Sequence, residues 1–275
     1  MITVFALLTT NSPKVRQAIG VAEPGAAAAS PSAPPVAAST GQLPSDTAGA
    51  NAVTSLPALQ LPPGAAYSTT GNGTFAEIAG SSKVYGTGGR LFRFDLQVEN
   101  GVTGVNLSQF ASVVMSSLTD PKSWTGTGQL RLQRIGSPTG ADFHISLTSS
   151  MTVRNLCGYS LPIETSCYDG GQTRVVLNVA RWVRGAKLYA SDLATYRIYA
   201  VNHEVGHALG HNHAHLCLRS GLAPVMMQQT IGAKTATGAI CQANPWPYPP
   251  GNPDAPGAEQ AGDGPDMDFY NRNAS

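Results

Sequence analysis

One stretch constrains the structure of this chain more than any other: residues 203–213, which read His-Glu-Val-Gly-His-Ala-Leu-Gly-His-Asn-His. His203 and His207 are one helical turn apart in sequence, so on a helix their side chains lie on the same face. Two imidazoles in this arrangement can bind one Zn²⁺ ion at ~2.0–2.1 Å. Gly210 can adopt a positive φ, which lets the helix end and the chain turn back sharply. The turn brings His213 towards the same ion, so the stretch predicts a helix with a three-histidine zinc site.

Glu204 follows the first histidine directly, beside the expected metal but outside its ligand shell. A general base must stand there to take a proton from a water molecule that the metal activates. Structural zinc sites are closed by four protein ligands, whereas catalytic sites keep one position open for water. Three histidines and one adjacent carboxylate therefore predict a catalytic site for a single Zn²⁺ ion, with Glu204 as the base.

The remaining histidines need separate interpretations. His211 and His215 are extra to the motif; they can act beside the ligands or bind a second metal, but we expect them to face solvent. His144 lies far from the motif in a predicted strand, and we expect it to have a structural role.

The chain has four cysteines, Cys157, Cys167, Cys217 and Cys241, which suggest two local disulfides, 157 with 167 and 217 with 241. Three connectivities are possible, and the sequence does not choose between them. Each bridge would stabilise the fold by ~3 kcal/mol in the loop-closure model. Alternatively, Cys217 is a fourth zinc ligand, but this would close the site and leave Glu204 without a water to activate. Paired cysteines indicate an oxidising compartment, either extracellular or in the cell envelope.

Composition divides the chain into three parts. We predict a disordered Ala/Pro/Ser-rich segment and linker at 1–66, one folded domain at 67–250, and a disordered acidic tail at 251–275. The linker suits tethering to a membrane or cell wall, although disorder without a tethering role is equally compatible with its composition. The apolar residues 2–8 follow no Lys or Arg; they are either the end of an export signal that starts upstream or a plain disordered terminus. The net charge of +1 without a basic cluster argues against nucleic-acid binding.

The folded part shows both strand and helix periodicities. Alternation over 92–98 predicts a half-buried strand, and apolar residues at helical spacing over 107–118 predict a helix. We predict further strands at 130–135, 143–147 and 174–179, and a disulfide-closed loop at 157–167. Ser191 or Asp192 can cap a helix that runs from residue 193 through the histidines. This order predicts an α/β (α+β) fold.

Two segments follow the histidines. Residues 222–229 contain Met226 and Met227, which by themselves are ordinary core residues. Residues 244–250, Asn-Pro-Trp-Pro-Tyr-Pro-Pro, are rigid and aromatic, and they either line a substrate groove through Tyr248 or pack the end of the domain.

The zinc motif and the methionine segment together resemble the metzincin clan of zinc peptidases. In addition, residues 199–211, 223–230 and 244–249 are similar to an actinobacterial family of exported zincin-like domains that is known only as a domain of unknown function. Residues 120–125 and 174–178 with Arg181-Trp182 also fit that family. The similarity extends from about residue 67 to residue 250.

The resemblance implies a metzincin-like fold: a twisted mixed sheet, a zinc helix beneath an open cleft, and a smaller C-terminal subdomain. It also implies a methionine turn as an apolar floor under the ligands, for which we favour Met226 over Met227. Several better-known metzincins have a tyrosine two residues after this methionine. Here that position is Gln228, or Gln229 if the floor is Met227, and an amide can donate a hydrogen bond to an oxyanion.

We therefore expect a secreted or envelope-tethered zinc metalloendopeptidase that acts, as a monomer, on a peptide or protein substrate. The alternative is a zinc-binding envelope protein without catalytic activity. Hydrolysis of cell-wall peptide cross-links is a third possibility, although no wall-binding repeat is visible in the sequence.

Overall fold

The structure, a computed structural model, describes residues 60–159, 163–190 and 192–251. The predictions for residues 2–8, for most of the linker, for nearly all of the acidic tail and for Ser191 as a cap lie outside the described residues. None of the helices in the described ranges combines the length and apolar character needed to cross a membrane.

The described residues form a mixed α+β domain, as the sequence predicts. Its strands are β1 (Phe75–Glu77), β2 (Arg90–Glu99), β3 (Leu130–Arg134), β4 (Phe143–Thr148), β5 (Cys167–Asp169) and β6 (Arg174–Asn178). Its helices are α1 (Leu107–Thr119), α2 (Ser150–Cys157), α3 (Val179–Arg184) and α4 (Leu193–Ala208). Short 3-10 helices span Lys187–Tyr189 and Gln229–Ile231.

The six strands of the described part build one mixed sheet in the order β1-β2-β4-β6-β5, with β3 also paired to β2. β3, β2, β4 and β6 are parallel neighbours, whereas β1 and β5 run antiparallel to their partners. Phe94 of β2 pairs with both Arg134 of β3 and Phe143 of β4, so these two strands flank β2 on opposite sides. β5 ends the sheet, with its hydrogen bonds to β6 on one side.

One face of the sheet carries the apolar core. Its alternate residues Phe94, Leu96, Ile145 and Leu177 are almost completely buried and pack in one cluster with α1 and α4. α1 buries Phe110 and Val114 at helical spacing, and its N-terminus is capped by Asn106, whose side chain accepts a hydrogen bond from Gln109 N–H. This packing supports α4 along its buried side.

The other face of the sheet is polar, but it is also buried, so the prediction of a half-buried strand at 92–98 is wrong for its C-terminal half. Asp95 is inaccessible and lies 2.5 Å from His144 Nδ1 on β4, which gives His144 the expected structural role. Gln97 donates to Asp95 at 2.7 Å and accepts from Arg174, whose guanidinium covers the Phe75 ring. Alternation identifies the polar face, but it does not show that an earlier segment covers it.

Several element boundaries follow from local contacts. α4 begins after Asp192, whose carboxylate accepts a hydrogen bond from Thr195 N–H at 2.9 Å. β6 ends at Asn178, one residue before the prediction, because the Asn178 side chain accepts from Ala180 N–H and starts α3. β5 begins at the last residue of the predicted loop, and α2 ends at its first.

Beyond Gly210 the described chain has no strand or α-helix. It is held by isolated bridges, Leu222 with Gln242 and Lys234 with Ile240, and by the Cys217–Cys241 disulfide. The second disulfide joins Cys157 to Cys167, so both bridges are the local pairs that the sequence suggested.

Candidate metal centre

Three histidines meet at one end of α4. His203 and His207 project from the helix with ring centroids 4.9 Å apart, and the His213 ring lies 5.4 and 4.7 Å from them. One nitrogen from each ring lies within 4.8 Å of the others, so the three side chains can hold a metal ion.

The turn that brings His213 back depends on Gly210. α4 ends with Leu209 N–H donating to the carbonyls of Val205 and Gly206, and His211 N–H then donates to Gly206 O at 3.0 Å. Gly210 has a φ of +96°, in the region that favours glycine. A non-glycine residue there would strain the turn between the second and third histidines.

Backbone carbonyls orient two of the rings. His203 Nδ1–H donates to Val225 O and His207 Nδ1–H to His211 O, both at 2.8 Å. A carbonyl only accepts hydrogen bonds, so Nδ1 carries the proton and Nε2 keeps its lone pair for a cation. His207 Nε2 lies 3.1 Å from His213 Nε2.

Burial keeps the three imidazoles neutral, as metal ligands must be. It lowers the pKa of His203 well below its usual value and that of His207 to a lesser extent, and the charges of neighbouring histidines add to the effect. It lowers the pKa of His213 to about 3. Three neutral nitrogens converging in this way fit a divalent transition-metal ion.

Glu204 lies between the two helical histidines in sequence, and it lines the same cleft. Its side chain is almost completely buried, and the loss of hydration raises the pKa of its carboxyl to about 8. A carboxyl with this pKa exchanges a proton near neutral pH, which is the property that a general acid-base residue requires.

The histidines and Glu204 open onto a cleft of about 470 Å³. The cleft is lined by Cys167 and Tyr168 of β5, by the bridged Cys157 and by residues 210–213 of the turn after α4. Gln228, Tyr199 and the last two residues of the 3-10 helix at Gln229–Ile231 also contribute to the lining. Among the described lining residues there is no lysine or arginine, and Glu204 is the one carboxylate.

The two methionines occupy different places. Met226 belongs to the main core and touches α4: a Cβ added at Gly206 would lie 2.4 Å from its sulfur. Met227 packs into a separate small cluster with Ala223 and Ile231. Met226 is thus the methionine that packs against the histidine helix.

The structure also separates the three predicted substrate contacts. Gln228 lines the cleft, and its Nε2 lies 3.2 Å from His213 Nε2. Gln229 is fully buried; its amide donates to Pro224 O and Asn244 O and accepts from Tyr189 OH, so it holds the loop together. Tyr248 is not among the residues that line the cleft; its ring packs edge-on against Trp124 at 6.5 Å.

Two further histidines and one cysteine, which are also potential metal ligands by residue type, lie outside the three-histidine group. His211 does not simply face solvent as expected: it is half-buried, lines the cleft and stacks on Trp124 at 4.5 Å, because the turn at Gly210 folds it against that ring. His215 is also half-buried and lies outside the three-histidine group. Cys217 is bonded to Cys241 and is not available as a thiolate ligand.

Trp124 and Asn202 also support the site, although no sequence pattern indicates that they do. The Trp124 indole N–H donates to the Asn202 carbonyl at 2.9 Å, and its ring lies against Gly206 and His211. Asn202 directly precedes the first histidine, so this contact fixes α4 at the metal centre. A lone tryptophan after a helix gives no periodic signal, and only its fit to the family segment at 120–125 pointed to it.

The fold and the site thus define an α+β domain in which three histidines, grouped so that they can hold a metal ion, line an open cleft. The family model described as "Protein of unknown function (DUF3152)" matches residues 61–249, which is more than half of the chain, and the chain belongs to this family. Searches among curated proteins and solved structures found no match.

Proposed function

We propose that this protein is a zinc-dependent metalloendopeptidase of the metzincin type. The observation that carries the proposal is the convergence of His203, His207 and His213 beside the Glu204 carboxyl in an open cleft. A purely structural site needs no such carboxyl and is closed by a fourth protein ligand.

The three histidines would hold the zinc ion. When bound, zinc supplies Lewis acidity towards a water molecule and the carbonyl oxygen of the scissile bond. The hydrogen bonds from Nδ1 of His203 and His207 to backbone carbonyls fix these two imidazole rings, so both ligands are oriented before the ion binds.

Glu204 is the proposed general base. It takes a proton from the attacking water and returns it to the amine nitrogen that leaves, a role typically worth ~10²–10⁴ in rate. Burial raises the pKa of its carboxyl to about 8 when no metal is bound, and the positive charge of a bound ion would lower that pKa and favour the carboxylate form that acts as the base. Gln228, which lines the same cleft, is available to contact the substrate carbonyl.

The cleft suits an extended peptide. β5 is the last strand of the sheet, and its residues Cys167 and Tyr168 line the cleft. A strand edge offers unpaired backbone N–H and C=O groups with which an extended substrate can pair. The substrate would then run along β5, past Glu204.

Two disulfides indicate an oxidising compartment, which agrees with an extracellular or envelope location. We propose that the protein is secreted or tethered to the envelope through the Ala/Pro/Ser-rich segment. A zinc-binding envelope protein without catalysis is the alternative that the test below distinguishes.

The test compares the full-length protein with its Glu204→Gln variant in metal analysis and in a broad peptide-library cleavage screen. We expect the variant to retain one zinc ion per chain and to lose roughly 10²–10⁴ of the cleavage rate. Glu77→Gln, at an exposed strand position, is the matched control and should cleave normally. Zinc binding without cleavage by the unaltered protein would favour the non-catalytic alternative, and full turnover by Glu204→Gln would refute the base assignment.

A second variant, His213→Ala, tests the third ligand. It should lose most of its zinc, because two histidines without the third bind the ion far more weakly. His215→Ala changes a nearby histidine outside the group and serves as the control. A full zinc complement in His213→Ala would show that another residue is the third ligand.

A further inference from the structure

The side chain of Gln228 is placed unusually for a residue in a loop. Its Nε2 lies 3.2 Å from His213 Nε2, the nitrogen that belongs to the metal-binding group. Its Oε1 is buried and has no hydrogen-bond partner among the described residues. One end of the amide is therefore aimed at the metal centre, and the other end is unsatisfied.

A metal ion changes what the amide can do. In the metal-free arrangement the amide NH₂ can donate to the lone pair of His213 Nε2. A bound cation takes that lone pair, and the positive hydrogens of the NH₂ group then face a positive charge. The two ends of a carboxamide have nearly the same shape, so a half-turn about its terminal bond exchanges oxygen and nitrogen. After this rotation the carbonyl oxygen faces the cation.

We propose that Gln228 is a fourth, displaceable protein donor to the metal, which caps the open coordination position when no substrate is bound. The inference rests on metal binding within the proposed function. Side-chain amide oxygens are known as weak ligands of metal ions bound mainly by other residues. A weak ligand of this kind leaves when a peptide carbonyl competes for the position.

The competing side chains support this assignment. Gln229, the neighbouring amide, is fully committed to Pro224, Asn244 and Tyr189. Cys217 is held in a disulfide with Cys241. Gln228 lines the cleft and is within hydrogen-bond distance of a ligand nitrogen, that of His213. Among the described residues that line the cleft, it is the one non-histidine side chain with such a contact.

The experiment uses the full-length protein loaded with Co²⁺, whose visible absorption reports coordination, and acetohydroxamate as a metal-directed competitor. Gln228→Leu should change the cobalt spectrum and bind acetohydroxamate more tightly. If the amide occupies the open coordination position in about nine-tenths of the molecules, only a fraction of ~0.1 can bind acetohydroxamate. The apparent Kd for acetohydroxamate then falls ~10-fold when the amide is removed. Gln228→Glu should act in the opposite direction, because a carboxylate is a stronger ligand than an amide.

Gln242→Leu is the matched control, since it makes the same change at an exposed position that does not line the cleft. Spectra and acetohydroxamate affinities of both Gln228 variants equal to those of the unaltered protein would overturn the inference. If either variant fails to fold, the other still decides, because the predicted shifts have opposite signs. Failure of the unaltered protein to bind any metal would instead overturn the proposed function, and the inference with it.

Discussion

Gly206 lies in the last turn of the histidine helix, and glycine within a helix is ordinarily less favourable than alanine by ~1 kcal/mol. Its close neighbours explain its presence. A Cβ at this position would lie 2.4 Å from Met226 Sδ and 2.7 Å from Trp124 Cζ2, and both of these side chains are fully buried. The missing side chain lets the methionine segment and the tryptophan approach the helix directly between the two histidines.

We predict that Gly206→Ala destabilises the protein by ~1–3 kcal/mol, because overpacking outweighs the gain in helix propensity. Urea unfolding would measure the change. The double variant Gly206→Ala with Met226→Ala should lose less stability than the sum of the losses in the two single variants. The shorter side chain at position 226 leaves room for the Cβ added at position 206.

Gly170→Ala is the matched control for this prediction. The nearest atom to a Cβ there is Tyr168 Cε1 at 3.8 Å, which is ordinary contact, so we expect little change. A Gly206→Ala variant more stable than the unaltered protein would contradict the packing explanation.

At the scale of elements, β5 connects the disulfide to the cleft. Cys167 opens this three-residue strand and is bonded to Cys157, the last residue of α2. Both cysteines line the cleft, whereas the Cys217–Cys241 bridge does not. The Cys157–Cys167 disulfide therefore lies at the cleft and the Cys217–Cys241 disulfide does not line it, although both close short loops.

This difference leads to a prediction for the two double variants Cys157→Ala/Cys167→Ala and Cys217→Ala/Cys241→Ala. Each should lose ~3 kcal/mol of stability by the loop-closure argument. Only the first should also raise the KM for peptide substrates, because it frees the strand along which we propose the substrate binds. Thermal unfolding and peptide kinetics below the unfolding temperature would measure the two effects. Equal KM changes in both variants would argue against substrate binding along β5.

The elements also differ in how far the sequence predicts them. α4 was predictable because its signals are local: a capping aspartate, apolar periodicity and the histidine spacing. β5 was not predicted, since a strand of three residues is specified by its pairing with β6 and not by its own sequence. Asp95 is buried against His144, a partner on another strand that is remote in sequence.

The same distinction applies to the site. The three histidines and Glu204 form a local motif, so their grouping at one cleft was predictable from spacing. Adjacent Gln228 and Gln229 are indistinguishable by sequence, and only the three-dimensional structure shows that one lines the cleft while the other is buried. The support from Trp124 involves a contact across the fold, which spacing does not reveal.

At the scale of the whole molecule, three buried tyrosines join α4 to the loops beneath it. The rings of Tyr189, Tyr196 and Tyr199 lie 5.4–6.0 Å apart. Burial raises the pKa of all three phenols, most strongly for Tyr189 and Tyr199, and the neighbouring phenol groups contribute to the shift of these two. Folding thus keeps protons on groups that lose them in the unfolded chain at alkaline pH.

We predict that stability falls as the pH rises above ~10, the pKa of tyrosine in the unfolded chain. Below that pH the phenols are protonated in both states, so they contribute no pH dependence. Above it the unfolded chain releases protons that the folded protein retains, which costs up to ~1.4 kcal/mol per pH unit for each tyrosine.

Urea unfolding between about pH 9 and 11 would measure this slope. Tyr196→Phe, which loses one hydrogen bond to Thr230, should reduce the slope. An unchanged slope in this variant would show that other groups govern the alkaline transition.

Asn202, which precedes the first histidine, receives a hydrogen bond from Ser123 and donates one to the carbonyl of Pro245. Asn202 is therefore hydrogen-bonded both to a segment that is synthesised before it, at Ser123, and to one that is synthesised after it, at Pro245. A nascent chain that has not yet emerged as far as Pro245 lacks one of these two hydrogen bonds, so under the proposed function we expect the metal ion to bind late in folding. If the protein is exported, as we propose, its metal centre would be completed after passage through the translocation channel.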